Sequence, residues 1–129
     1  MTIIVGYIPR PEGRAALDKG IEIAKRRHER LIVVNASHDG EHADASIVDA
    51  PTAEHLEQEL ATSGVNYEFK QFIRGHNVVQ EIEDLVAAHD ASLLVIGIRK
   101  RTAIGKLIMG SVAQELLLSV PCPVLAVKG

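Results

Sequence analysis

An open parallel β-sheet with helices on both faces is the fold class this sequence predicts, and three observations predict it. Short apolar runs alternate with helical patterns in the order β-α-β-α-β-α-β-α-β. Most of those runs are uninterrupted rather than alternating, as strands buried on both faces must be. The chain has 129 residues, 47% of them hydrophobic, which suits one domain over 1–129 with a sizeable core. Right-handed crossovers then distribute the helices over the two faces.

Each element has its own signal. Thr2-Ile3-Ile4-Val5 is a short β-branched run closed by Gly6. Over Ala15–Arg27, Leu17, Ile21, Ala24 and His28 share one face at helical spacing. Leu31-Ile32-Val33-Val34 is the second strand. Pro51–Ala61 places Ala53, Leu56 and Leu60 on one helical face, and Ser63-Gly64 stops it. Val65, Tyr67 and Phe69 alternate with Asn66, Glu68 and Lys70, the pattern of a strand covered on one face only, as at a sheet edge. Asn77 with Gln80 three residues on forms a capping-box-like pair. Behind it, Val78, Val79, Ile82, Leu85 and Val86 supply an apolar stripe. Ser92–Ile96 is an unbroken strand running into Gly97, Ser111–Leu118 a last helix, and Val124–Val127 a last strand. Pro121 and Pro123 remove two backbone donors at its start and favour an edge position.

Composition excludes several function classes. Fourteen Lys+Arg against seventeen Asp+Glu give a net charge of −3, unlike a generally basic nucleic-acid binder. Four aromatics (Tyr7, Tyr67, Phe69, Phe72) and no Trp make a poor platform for stacking single-stranded bases. The single cysteine, Cys122, excludes an internal disulfide framework and a cysteine-built zinc site. Its place between two prolines near a strand reads as a small packed residue. No apolar stretch approaches the roughly 18 residues that span a bilayer. Met1–Ile8 lacks the basic start of a signal peptide, so a cytoplasmic protein without membrane insertion is expected.

In a sheet of this kind ligands bind beyond the carboxyl ends of the strands, where strand order reverses. The loops to inspect follow Val5, Val34 and Ile96. The last of these stands out, because Ala91–Gln114 contains no acid and four bases: Arg99, Lys100, Arg101 and Lys106. It opens at Gly97, where the missing Cβ lets backbone approach a ligand, and ends at Gly110-Ser111 where a helix begins. The unpaired N–H groups and dipole of that helix favour an anion by about 0.3–1 kcal/mol when exposed and up to about 2 when partly buried. Ser111 with Gln114 also reads as an N-cap, which leaves the same N–H groups available. The loop is not a Walker A motif, since Lys100 stands five residues before Gly105 and Leu107 follows Lys106. Gly6-Tyr7-Ile8 lacks the glycine spacing of a dinucleotide turn.

At these residues the chain resembles the universal stress protein family over essentially its whole length. The strand order, the Gly97…Gly110-Ser111-Val112 segment and the closing Pro121-Cys-Pro-Val-Leu-Ala-Val127 carry the resemblance. It implies a Rossmann-like five-stranded sheet in the order 3-2-1-4-5. It also implies ATP, ADP or AMP as ligand, with Mg²⁺ accompanying the nucleotide. The phosphates would lie along Gly97, Arg99, Lys100, Arg101, Lys106, Gly110, Ser111 and Val112, and the adenine beside Ile8, Pro9, Ala36 and Ile96. Nucleotide-binding members carry Gly-x2-Gly-x9-Gly-Ser/Thr in the loop. Here Lys100 stands at the second glycine, and Ile8 where Asp is common. If that glycine serves a left-handed conformation, a lysine there costs about 1–2 kcal/mol, while its ammonium gains about as much beside a triphosphate. The expected function is a stress-response or regulatory module that binds an adenine nucleotide. The alternative is a ligand-free scaffold that acts as a homodimer through its apolar last strand.

Other constellations carry less. His38-Asp39-Gly40-Glu41-His42 matches a His-x-x-Glu-His zinc pattern, but Gly40 in an acidic connection is a poor helix, and a solvated loop is the expected reading even with His55 as a third ligand. Glu81, Glu83 and Asp84 solvate a helix face. Arg26-Arg27 suits the C-terminal dipole of its helix. Ser111 has no evident histidine and acid partners, so no catalytic residue is expected. Slow ATP hydrolysis is the most the basic loop would support, because no residue is evident to orient water.

Overall fold

The apolar runs become the strands of a sheet, and the amphipathic stretches become its cover. The computed structural model describes residues 1–36, 48–72, 77–101, 106–108 and 110–129, and for 100, 101 and 106–108 the backbone alone. In chain order the elements are β1 (Thr2–Gly6), α1 (Pro11–Arg27), β2 (Arg30–Ala36), α2 (Ala50–Thr62) and β3 (Tyr67–Phe72). After them come α3 (Val78–His89), β4 (Ala91–Arg101), β5 (Lys106–Ile108), α4 (Ser111–Ser119) and β6 (Val124–Lys128). The parallel sheet runs β3-β2-β1-β4-β6, which is the predicted order with β6 as its fifth strand. Strand order therefore reverses between β1 and β4.

Alternation along the strands divides the core. Ile3, Val5, Leu31, Val33 and Val95 point to the face covered by Leu17 and Ala24 of α1 and by Leu56 and Leu60 of α2. Ile4, Ile32, Val34, Leu94 and Ile96 point the other way, against Val79, Ile82 and Val86 of α3 and Leu116 of α4. Both predicted edges are edges. β3 pairs with β2 alone and β6 with β4 alone, in keeping with the one-sided pattern of β3 and the prolines before β6.

Three boundaries differ from expectation. α1 begins at Pro11 rather than Ala15, with proline in the first turn where its missing N–H costs nothing. β3 is displaced toward Phe72, while Val65 is buried ahead of it. β4 does not stop at Ile96. It continues through Gly97 to Arg101 and folds back onto β5 with Arg99↔Ile108, Lys100↔Leu107 and Arg101↔Lys106 in antiparallel register. Part of the expected loop is thus a hairpin, and the run of bases concealed a strand. Lys100 consequently sits in extended strand, where no left-handed conformation is demanded of it.

Two helix starts follow their sequence signals. The Asp49 carboxylate accepts from Thr52 N at 2.9 Å, and the Asn77 side chain accepts from Gln80 N at 3.1 Å. α4 is different: its N-cap is Gly110, not Ser111, and no side chain caps it.

Candidate nucleotide cleft

The reversal between β1 and β4 opens a cleft of about 270 Å³, near the small end of the roughly 300–1,000 Å³ usual for ligand sites. Its floor is the carboxyl ends of three strands: Val34 and Ala36 of β2, Gly6 with Tyr7 and Ile8 after β1, and Ile96, Gly97 and Arg99 of β4. One wall is the first turn of α1 with Arg10 and Glu12. The opposite wall is Gly110 to Ala113 with Leu116 of α4, beside Val78 and Ile82 of α3.

The polar frame under the floor is fixed by Asn35, which is fully buried. Asn35 Nδ2 donates to the Tyr7 carbonyl at 3.0 Å, and its Oδ1 accepts from Val48 N and Gln71 Nε2, each at 3.0 Å. Gln71 Nε2 also donates to the Val48 carbonyl at 2.7 Å. One amide therefore ties the exits of β1, β2 and β3 to the segment entering α2. A satisfied buried network of this kind holds its members rigidly. Tyr7 N donates to the Val34 carbonyl at 2.8 Å and extends the β1–β2 ladder into the cleft. The Tyr7 ring belongs to the core beneath α1 and α2, where burial pushes its hydroxyl pKa up and Arg14 only partly counters that.

The two walls differ in charge and in packing. On the α4 side, among the described residues, the N–H groups of the first turn have no capping side chain, no acid occupies that turn, and a Cβ on Gly110 would meet nothing within 4 Å. The exposed Arg99 also lines the cleft, on the face of β4 that Gly97 turns toward α1. Among the described residues no carboxylate pairs with Arg99 or Arg10. On the α1 side the backbone is clamped: a Cβ on Gly97 would run into the Glu12 carbonyl. Gly97 thus serves helix-to-strand packing as well as lining the cleft. Glu12 is left 7% exposed by that packing.

Of the residues expected in the site, the cleft brings together Ile8, Ala36, Ile96, Gly97, Arg99, Gly110, Ser111 and Val112. Pro9 is exposed and does not line it. Lys100, Arg101 and Lys106 have strand positions on the hairpin, but their side chains lie outside the described residues, as does Met109. The His38–His42 pattern lies outside them too, and among the described residues no group of His, Cys, Asp and Glu could hold a metal. Arg10 and Glu12 of the α1 wall were missed, because the helix was expected to begin at Ala15. Pro11 was the available signal, since proline marks the first helical position. The apolar lining by Val78 and Ile82 was read as core alone.

An open parallel sheet with a cleft at its order reversal and an uncapped helix start beside it defines a class of small-ligand-binding α/β proteins. Comparison narrows the class. The model of the universal stress protein family matches residues 1–128, and the chain belongs to that family. A universal stress protein of Mycolicibacterium smegmatis is 47% identical over 126 residues, covering 98% of this chain and 96% of the relative. The solved universal stress protein of Archaeoglobus fulgidus superposes with a TM-score of 0.79 at 30% identity, covering 99% of this chain and 98% of that one. A structure of the universal stress protein from the same organism in complex with dAMP matches with a TM-score of 0.68 at 24% identity, covering 99% and 98%. Among the described residues no helix is long and apolar enough to cross a membrane.

Proposed function

We propose that this chain is a single-domain binding module for ATP or a related adenine nucleotide, acting as a regulatory element in a stress response. The observation that carries the reading is the uncapped start of α4 opening onto an apolar cleft. The N–H groups of Ser111, Val112 and Ala113 and the dipole behind them receive phosphate, and Arg99 neutralises its charge. The base takes the apolar end between Ile8, Val34 and Ala36 on one side and Val78 and Ile82 on the other. Extended backbone at Lys100 removes the strain that a lysine in place of the second glycine would otherwise bring. Magnesium bound with a triphosphate would be held chiefly by the nucleotide's own oxygens. The complex of a relative with dAMP supports an adenine nucleotide as the ligand class.

The test is thermal unfolding with millimolar ATP and Mg²⁺. Ligand at 100 times its Kd adds about 2.7 kcal/mol, a shift of several degrees. Gly110→Leu, whose side chain meets none of the described residues at its Cβ, is expected to keep the unliganded Tm and abolish the shift. A wild-type protein with no shift overturns the reading.

A second copy of the chain is the partner we propose, through β6. This edge strand carries Val124, Leu125, Ala126 and Val127, all only half-buried, and the preceding helix exposes Leu117 and Leu118. The ligand-free dimeric scaffold differs from the nucleotide module in one readout: native mass of the freshly purified protein gives a dimer without bound nucleotide for the scaffold, and a co-purified nucleotide for the module.

A further inference from the structure

We propose that Glu12 is the specificity residue of the cleft and accepts hydrogen bonds from the sugar hydroxyls of the nucleotide; the inference rests on the nucleotide reading above. Glu12 is 93% buried in the first turn of α1, and it lines the cleft. Among the described residues nothing donates to its carboxylate or pairs with it. No buried side-chain oxygen of the described residues is left without a partner, so the carboxylate oxygens of this cleft-lining residue keep a narrow access to water. Such a group is solvated only while water fills the cleft. A ligand that expels this water must bring hydrogen-bond donors or leave a carboxylate unpaired, which is costly.

Position selects the donors. A phosphate is received on the α4 wall, where no acid stands in the first turn, whereas the first turn of α1 carries Glu12. The base occupies the apolar end at Ala36 and Ile82. The part of a nucleotide that joins them crosses the gap between β1 and β4, over Gly6 and Gly97. There the Glu12 backbone is pressed against Gly97. That part is the sugar, and vicinal 2′- and 3′-hydroxyls present two donors to the two oxygens of one carboxylate, the same chemistry by which an acid reads ribose in dinucleotide folds.

The experiment compares AMP with 2′,3′-dideoxy-AMP by isothermal titration calorimetry without magnesium, so that no metal bridges to the carboxylate. Wild-type protein is expected to bind AMP at least tenfold more tightly than the dideoxy analogue. Glu12→Ala brings the ratio near one by weakening AMP alone, and Glu12→Gln, which keeps one acceptor oxygen, gives an intermediate ratio. Circular dichroism melts check that each variant folds; if Glu12→Ala does not, the fall in ratio for Glu12→Gln decides. Equal affinities in wild type, or a ratio unchanged in the variants, overturn the role of Glu12 while leaving the nucleotide reading intact. Wild-type protein that binds neither ligand takes down both.

Discussion

Gly97, in the cleft floor against the α1 wall, and Gly110, on the α4 wall, are glycines for opposite reasons. At Gly97 the space of a Cβ is already filled by the Glu12 backbone, so the absent side chain brings α1 and β4 together. At Gly110 no atom of the described residues enters that space, and the backbone is ordinary, with φ −67° and ψ 164°. The first glycine belongs to the fold and the second to whatever enters the cleft. Neither helix start has a side-chain cap, so what separates the walls is packing. The α1 wall is held by its contact with Gly97, and the α4 wall offers N–H donors that no side chain caps among the described residues.

The sharpest way to break this contrast is to place the same methyl group on both walls. Gly97→Ala forces backbone against backbone and is expected to cost about 3 kcal/mol, lowering Tm by ~10 °C. Gly110→Ala is expected to change stability by less than about 0.5 kcal/mol. Denaturant unfolding of the two variants beside wild type measures both. Equal costs would show that the α4 wall is as tightly packed as the α1 wall.

A smaller effect is expected from charge. Arg99→Ala leaves the unliganded Tm unchanged, because the side chain is exposed and, among the described residues, makes no ion pair. ATP affinity is expected to fall about three- to tenfold, as befits the loss of one charge-assisted contact near the surface. The difference from wild type should narrow as salt is raised from 50 to 500 mM, since screening weakens exposed charge interactions first. Calorimetry at the two salt concentrations is the measurement. An affinity that Arg99→Ala leaves untouched would assign phosphate neutralisation to the hairpin bases instead.

Much of this architecture was legible in the sequence. Unbroken runs such as Leu31–Val34 could only be strands buried on both faces, and Pro121 with Pro123 marked an edge. Gly110-Ser111 marked the start of α4, whose first turn lines the cleft. What escaped was what depends on contact between distant residues. Nothing local to Gly97 says that Glu12, 85 positions earlier, occupies the space of its missing side chain. Nothing local to Arg99-Lys100-Arg101 says that Leu107 and Ile108 return as a partner strand. Nothing local to Asn35 says that it joins three strand exits through Tyr7, Val48 and Gln71. Periodicity finds elements; it does not find which backbone atoms meet.

The smallest expected effect tests what fixes the α1 wall. Besides the close approach at Gly97, α1 is joined to α2 by Arg14, whose guanidinium donates to both carboxylate oxygens of Glu59 and, at 2.7 Å, to Asp18. The Arg14 hydrogen bonds hold the Glu59 carboxyl below its ordinary pKa, against the opposing pull of burial. A carboxyl lowered in the folded state stabilises fully above its unfolded value near 4.3, and that contribution disappears as pH falls through the folded value. The side chains of Arg14 and Glu59 are 43% and 32% exposed, so solvent screens the pair and its worth is about 0.5 kcal/mol. Glu59→Gln is therefore expected to lose about that much stability at pH 7 and less as pH is lowered, by urea unfolding at pH 7 and pH 3, with AMP affinity unchanged. A loss of several kcal/mol, or a weakened cleft, would mean that the ion pair rather than the glycine contact sets the position of α1. The geometry argues otherwise: an exposed pair of flexible side chains yields to small displacements, whereas the Glu12 carbonyl over Gly97 leaves no room for even one carbon.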